Sequence, residues 1–115
     1  MQYALLVYGQ PETQDGGEPG PMDEAIAAIL AQPCVTGWAR LYSDESATTL
    51  RRGEGAMLLT DGPFIDSKEY LAGLILVEAD DLDSALAVAQ DLQDARRGDG
   101  AIEVRPIFAG AFRAA

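Results

Sequence analysis

The sequence predicts an α+β fold, in which an antiparallel sheet carries two helices on one face. Three observations support this fold class. Short apolar runs are bounded by Gly, Pro and Asp, two amphipathic stretches have helical spacing, and the element order is roughly βαβ twice with extra strands between. A length of 115 residues predicts a single domain, 1–115. The composition, with 48% hydrophobic and 23% charged residues, is that of an ordinary globular protein.

The first half of the chain predicts a strand, a loop, a helix and a second strand. Residues 2–8 are apolar on both faces, which is typical of a central strand covered twice. Residues 10–21 are rich in Gly and Pro and predict a surface loop. A helix is expected over 22–32, where Pro33 stops it, and a strand over 35–42.

The second half predicts a hairpin, a strand, a helix and a last strand. Residues 47–51 and 56–60 pair as a hairpin through 52–55, and 70–78 is again apolar on both faces. The second helix is capped by Asp80 or Asp81 and ends at Gly98, and a strand follows over 102–108. Its predicted buried stripe is Leu82, Ala85, Leu86, Ala89 and Leu92.

The doubly apolar strands predict a homodimer. Two helices cover only one face of a sheet, so the other face would expose a larger apolar patch than monomers usually carry. We therefore expect a second copy to cover it, sheet against sheet or through swapped strands.

Charge and composition exclude several classes of function. Eight basic and nineteen acidic residues give a net charge of −11, which repels nucleic-acid phosphates and anionic lipid. We predict no nucleic-acid partner, no membrane and a cytoplasmic location, because no run approaches a membrane span and no signal peptide is recognisable. The single Cys34 predicts a small buried side chain rather than a nucleophile. We expect no metal and no cofactor, because the chain has no histidine and no metal or nucleotide motif.

The residues between the hairpin and the next strand carry the densest chemistry. Asp61 at a strand end is a candidate catalytic base, since a carboxylate partly desolvated beside Phe64 gains basicity. The structural alternative is that Asp61 accepts backbone N–H bonds and fixes the turn. Lys68 is a candidate electrophile or orienting group, and Glu69 a ligand contact, while a turn stabilised by Lys68 is the alternative.

Two further residues are candidate ligand contacts. Trp38 could line a pocket on the sheet for an aromatic or acidic ligand, although core or interface packing is the alternative. Arg105 alternates with apolar residues on the last strand and needs a partner, for which Glu78 and Glu103 are candidates.

The same loop carries a family resemblance. Thr60-Asp61-Gly62-Pro63-Phe64 followed by Lys68-Glu69, with the opening Tyr3-Ala4-Leu5-Leu6-Val7-Tyr8-Gly9 and the closing Ile102-Glu103-Val104-Arg105-Pro106-Ile107, resembles the YCII-related, or DGPF-domain, proteins. The resemblance implies a ferredoxin-like fold and a dimeric α/β barrel, and it permits an association with sigma-factor regulation. A His–Asp acid–base pair proposed for some relatives cannot be carried over, because this chain has no histidine. Asp61, Phe64, Lys68 and Glu69 match the family residue by residue.

Two functions follow as hypotheses. One is a cofactor-free lyase, isomerase or dehalogenase-like enzyme acting on a small cyclic or aromatic-derived acid, with Asp61 moving a proton and Lys68 or Arg105 holding negative charge. The other is a non-catalytic ligand-binding or regulatory dimer.

Overall fold

The computed structural model describes residues 1–9, 20–65, 69–96 and 100–112 of the chain. A short 3-10 helix, Asp44–Ser46, precedes the hairpin. In chain order the other elements are β1 (Gln2–Gly9), α1 (Glu24–Leu30), β2 (Val35–Arg40), β3 (Thr48–Gly53), β4 (Ala56–Asp61), β5 (Tyr70–Glu78), α2 (Leu82–Ala95) and β6 (Gly100–Pro106).

Four strands form one antiparallel sheet in the order β2-β5-β1-β6, and β3 and β4 form a separate two-stranded hairpin. With the hairpin set aside, the chain runs β-α-β-β-α-β, which is the ferredoxin-like arrangement. The α+β prediction is therefore confirmed.

The core lies between one face of the sheet and the helices. Side chains alternate along β1, so Tyr3 and Leu5 are buried on the helix side. The buried apolar residues are Tyr3, Leu5, Leu30, Ile75, Val77, Ala85, Ala89 and Leu92.

The opposite face of the sheet is also apolar. We call it the open face and define it by Ala4, Leu6 and Tyr8 of β1 with Leu74 and Leu76 of β5, which strand register places together. Within the described residues, both helices pack on the other side. The sequence-based expectation of two apolar faces is thus met, with one face covered.

Capping residues fix where the helices begin. Asp23 accepts a hydrogen bond from the N–H of Ala25 at 2.9 Å, and Asp81 accepts one from the N–H of Ser84 at 2.8 Å. Of the two predicted caps for α2, the structure therefore selects Asp81. The end predicted at Gly98 lies outside the described residues.

The predicted buried stripe of α2 was too wide. Leu82 and Leu86 are 47% and 44% exposed, while Ala85 and Ala89 are buried. The covered strip runs through Ala85, Val88, Ala89 and Leu92, at spacings of three and four residues, and it leaves Leu82 and Leu86 at its edge. Strand β2 is also shorter than predicted and ends at Arg40.

The hairpin stands apart from the rest of the fold. Each of its strands pairs with the other, and neither packs extensively against another helix or strand in the described part of the chain. Among the described residues, neither helix has the length and apolar character that crossing a membrane requires.

Candidate functional site

Asp61 is the last residue of β4 and leads into a tight turn. Gly62 has a backbone φ of 100°, a conformation that residues other than glycine rarely adopt. The N–H of Gly62 donates to the carbonyl of Ala47 at 2.7 Å, and the Thr49 hydroxyl donates to the carbonyl of Gly62 at 2.7 Å. The turn is therefore tied to the start of β3, and it presents an exposed Asp61.

Phe64 lies on the surface, with its side chain 67% exposed. The guanidinium carbon of Arg51 is 5.2 Å from the centre of its ring, a cation–π distance. The ring therefore does not fill the core, and one face of it is stacked by a cation from the hairpin.

The candidate residue Lys68 lies outside the described residues, together with Asp66 and Ser67. The predicted role of Lys68 as an electrophile or orienting group, and the alternative that it stabilises the turn, stay predictions.

Glu69 marks where the segment returns to the sheet, immediately before β5. It is exposed, and its charge acts on Arg96, the residue that follows α2. Burial lowers the pKa of the Arg96 guanidinium below its usual range, and the carboxylate of Glu69 opposes that shift. Glu69 thus stabilises a half-buried cation at this end of the molecule.

Arg96 joins three elements at that point. Its Nη2 donates to the carbonyl of Tyr8 at 2.9 Å, and its Nη1 donates to Oε1 of Gln93 at 3.0 Å. Gln93 in turn donates to the carbonyl of Gly100 at 2.8 Å. Arg96 was not predicted from the sequence as a site residue. A basic residue just past the last turn of a helix predicts contact with the last carbonyls of that helix, and it does not predict a hydrogen bond to a distant strand.

Arg105 lies on the open face, because it pairs with Ala4 across β6 and β1. Its Nε is 3.9 Å from Oε1 of Glu103, and both side chains are more than half exposed. Such a long, exposed pair contributes little to stability, so the guanidinium is available to a ligand. Of the two predicted partners, Glu103 is the near one, whereas Glu78 binds the N-terminal ammonium at 2.6 Å.

Trp38 lies on the other face and the other edge of the sheet. It pairs with Ile75, whose side chain points into the core, and it is 49% exposed. Its neighbour Arg40 donates to the carbonyl of Gly20 at 2.9 Å.

The described residues place the candidates on different elements. Asp61 and Phe64 lie around the turn that ends the hairpin. Glu69 precedes β5, where Tyr70 pairs with Gly9. Arg105 pairs with Ala4, which lies five positions from Gly9 along β1, about 16 Å at the rise of a strand. Trp38 shares neither the face nor the edge of Arg105. One subunit does not unite all of these candidates in a single site.

Metal binding has no cluster to support it in the part of the chain that the structure describes. There, no three Cys, Asp or Glu side chains come together as metal ligands.

The sheet order and the helix packing define the class of protein: a ferredoxin-like α+β fold with a hairpin inserted before its third sheet strand. Residues 1–110 match the family described as the YCII-related domain, and the chain belongs to that family. The resemblance read from the Asp-Gly-Pro-Phe motif is confirmed. The chain is also similar to an uncharacterized protein of Rhizobium meliloti (strain 1021), with 44% identity over 69 residues, which cover 60% of this chain and 56% of that relative.

Proposed function

We propose that this protein is a homodimer that binds a small cyclic or aromatic-derived acid between its two subunits and acts on it without a cofactor. The observation that carries the proposal is the open face, which is apolar and is not covered by either described helix. An apolar face of this kind is typical of an interface or a ligand site.

Arg105 supplies the charge that an acid requires. The chain carries a net charge of −11, so an anionic ligand needs a local cation. Arg105 lies on the open face with one long contact to Glu103, and a guanidinium matches a carboxylate with two parallel hydrogen bonds.

Asp61 supplies the proton-transfer group. In a single chain it is exposed to water, whereas a carboxylate acts best as a base when water is partly removed from it. A covering subunit provides that removal. Lys68 or Arg105 then holds the negative charge that develops in the acid.

Thermal-shift measurements with small cyclic and aromatic carboxylic acids test the binding step. A ligand that binds only the folded protein raises its Tm. We expect such an acid to raise the Tm of the wild type and to lose this effect in Arg105→Gln. The matched control is Glu103→Gln, which removes a neighbouring negative charge and should preserve or strengthen binding. A full Tm rise in Arg105→Gln would contradict the proposed role of Arg105.

The exposure of Asp61 also favours the second function, a non-catalytic ligand-binding or regulatory dimer, because an exposed carboxylate is a weak base. Incubating each bound acid with the protein, followed by mass spectrometry, separates the two. The enzyme hypothesis predicts product with the wild type and none with Asp61→Asn, which should still bind. Binding without turnover by the wild type would favour the regulatory module.

A further inference from the structure

The hairpin carries an exposed apolar face. Register places Leu50 opposite Leu59 and Arg52 opposite Met57, so Leu50, Met57 and Leu59 share one side. Their side chains are 62%, 53% and 74% exposed, respectively. We call this side the leucine face. The other side carries Leu58 as its one large apolar residue, alongside Arg51, Thr49 and Thr60.

This exposure leaves three large apolar side chains of the hairpin in contact with water, where burial against an apolar surface would be favourable. A two-stranded hairpin on its own is also marginally stable in water, so its leucine face needs a surface to pack on.

We infer that the leucine face packs on the open face of a second copy of this chain. The inference rests on the proposed homodimer and adds that the hairpin is an arm that reaches across to the partner. The leucine face and the open face are both apolar and both lack a covering element among the described residues, so each can remove the other from water.

The reach of the hairpin fits this occupant. Six residues per strand give the hairpin a length of about 20 Å, and a four-stranded sheet is about 14 Å wide between its outer strands. The arm is therefore long enough to extend across the open face of a second copy.

The arm also completes the site. Asp61 pairs with Thr48 two positions from the Leu50 and Leu59 pair, so its side chain lies on the leucine face. A partner sheet that covers this face also removes water from Asp61. Each site would then combine Asp61 of one subunit with the open face, and the arginine on it, of the other.

Sedimentation equilibrium of two neighbouring variants tests the contact. Leu59→Asp places a charge in the leucine face and should raise the dimer dissociation constant by at least about 30-fold. Leu58→Asp makes the same change on the other side of the hairpin, at 52% exposure, and should change it by less than about threefold. Equal effects of the two variants, or none from Leu59→Asp, would overturn the inference.

Cross-linking tests the arrangement without depending on affinity. The chain Leu59→Cys/Leu74→Cys, in a Cys34→Ser background, is prepared with and without ¹⁵N label. The two preparations are mixed in denaturant, refolded together and treated with a short bismaleimide. We expect peptides that join positions 59 and 74 to carry one label each in a share of the product. Links confined to one isotope would place the hairpin on its own sheet and overturn the inference. If the wild type is a dimer but no link joins positions 59 and 74, the arm contact is overturned and the homodimer stands. If the wild type is a monomer, both the arm contact and the homodimer are overturned.

Discussion

Phe64 shows how exposure changes the expected role of a residue in the motif. If the ring filled the core, its removal would cost roughly 3 kcal/mol, but it is 67% exposed and stacked by Arg51. We therefore expect Phe64→Ala to reduce the free energy of unfolding by no more than about 1 kcal/mol, as measured by urea denaturation.

The control for Phe64 is Leu5→Ala, which empties a fully buried position and should cost about 3 kcal/mol. The loss of an acid-induced Tm rise in Phe64→Ala would identify the ring as a ligand contact. A loss of stability comparable to that of Leu5→Ala would show that the ring is packed in the working form of the protein.

Asp81 predicts a pH dependence of stability. Its hydrogen bonds from the N–H and the hydroxyl of Ser84 lower its pKa in the folded state below the usual value of an aspartate. Because the folded pKa is the lower one, the stabilisation is present at pH values well above the unfolded pKa and is lost as the pH falls through the folded value.

The matched variant for Asp81 is Asp81→Asn, which keeps a capping group without a titrating proton. We expect the Tm difference between wild type and Asp81→Asn to be largest near pH 6 and to shrink below pH 3.8. A difference that stays constant from pH 6 to pH 2.5 would contradict the role of the charged cap.

At this scale the sequence predicts residues whose role is local. Asp81 as a cap and Gly62 in the turn follow from rules that involve only a few neighbouring positions. Arg96 could not be predicted, because its contact with Tyr8 joins residues 88 positions apart and depends on how α2 lies on the sheet. The pairing of Arg105 with Ala4 likewise depends on strand register, which the sequence does not state.

Among the elements, the β5 strand depends on a close approach at Gly73. A Cβ at this position would lie 2.7 Å from the carbonyl oxygen of Ala39 in β2, which is too near for a real contact. We expect Gly73→Ala to destabilise the protein by about 1–3 kcal/mol, because the two strands must separate locally.

Gly37 on the neighbouring strand β2 is the control for Gly73. There a Cβ would lie 3.7 Å from Cδ1 of Leu76, an ordinary van der Waals contact, so Gly37→Ala should change the unfolding free energy by less than about 0.5 kcal/mol. Thermal denaturation of the two variants compares them directly. Similar losses in both would mean that strand spacing at Gly73 is not the limiting contact.

Element type was largely predictable, and packing was less so. Residues 2–8 and 70–78, which are apolar on both faces, predict both central strands, and the Gly-containing loop 52–55 predicts the hairpin. Periodicity alone could not show that Leu82 and Leu86 remain exposed, since it marks which residues could face a sheet and not how wide the contact is. Nor could it show that the hairpin stands away from the main sheet.

For the whole molecule, the central feature is the mismatch between two helices and a sheet that is apolar on both faces. The core uses one face, and Ala4, Leu6, Leu74 and Leu76 line the other without a covering helix in the described residues. The sequence predicted this mismatch, because consecutive side chains of a strand point to opposite faces and both sets are apolar here. The order of the strands in the sheet could not be predicted from the sequence, because pairing partners lie far apart along the chain.

The most direct test of the central claim is the mass of the protein in solution. We expect sedimentation equilibrium of the wild type at micromolar concentration to give twice the chain mass of 12.2 kDa, and Leu74→Asp on the open face to give the mass of one chain. Leu86→Asp, which changes an exposed leucine of α2, should remain a dimer. A wild-type mass of 12.2 kDa across that range would contradict the account, because the open face would then lie bare to water.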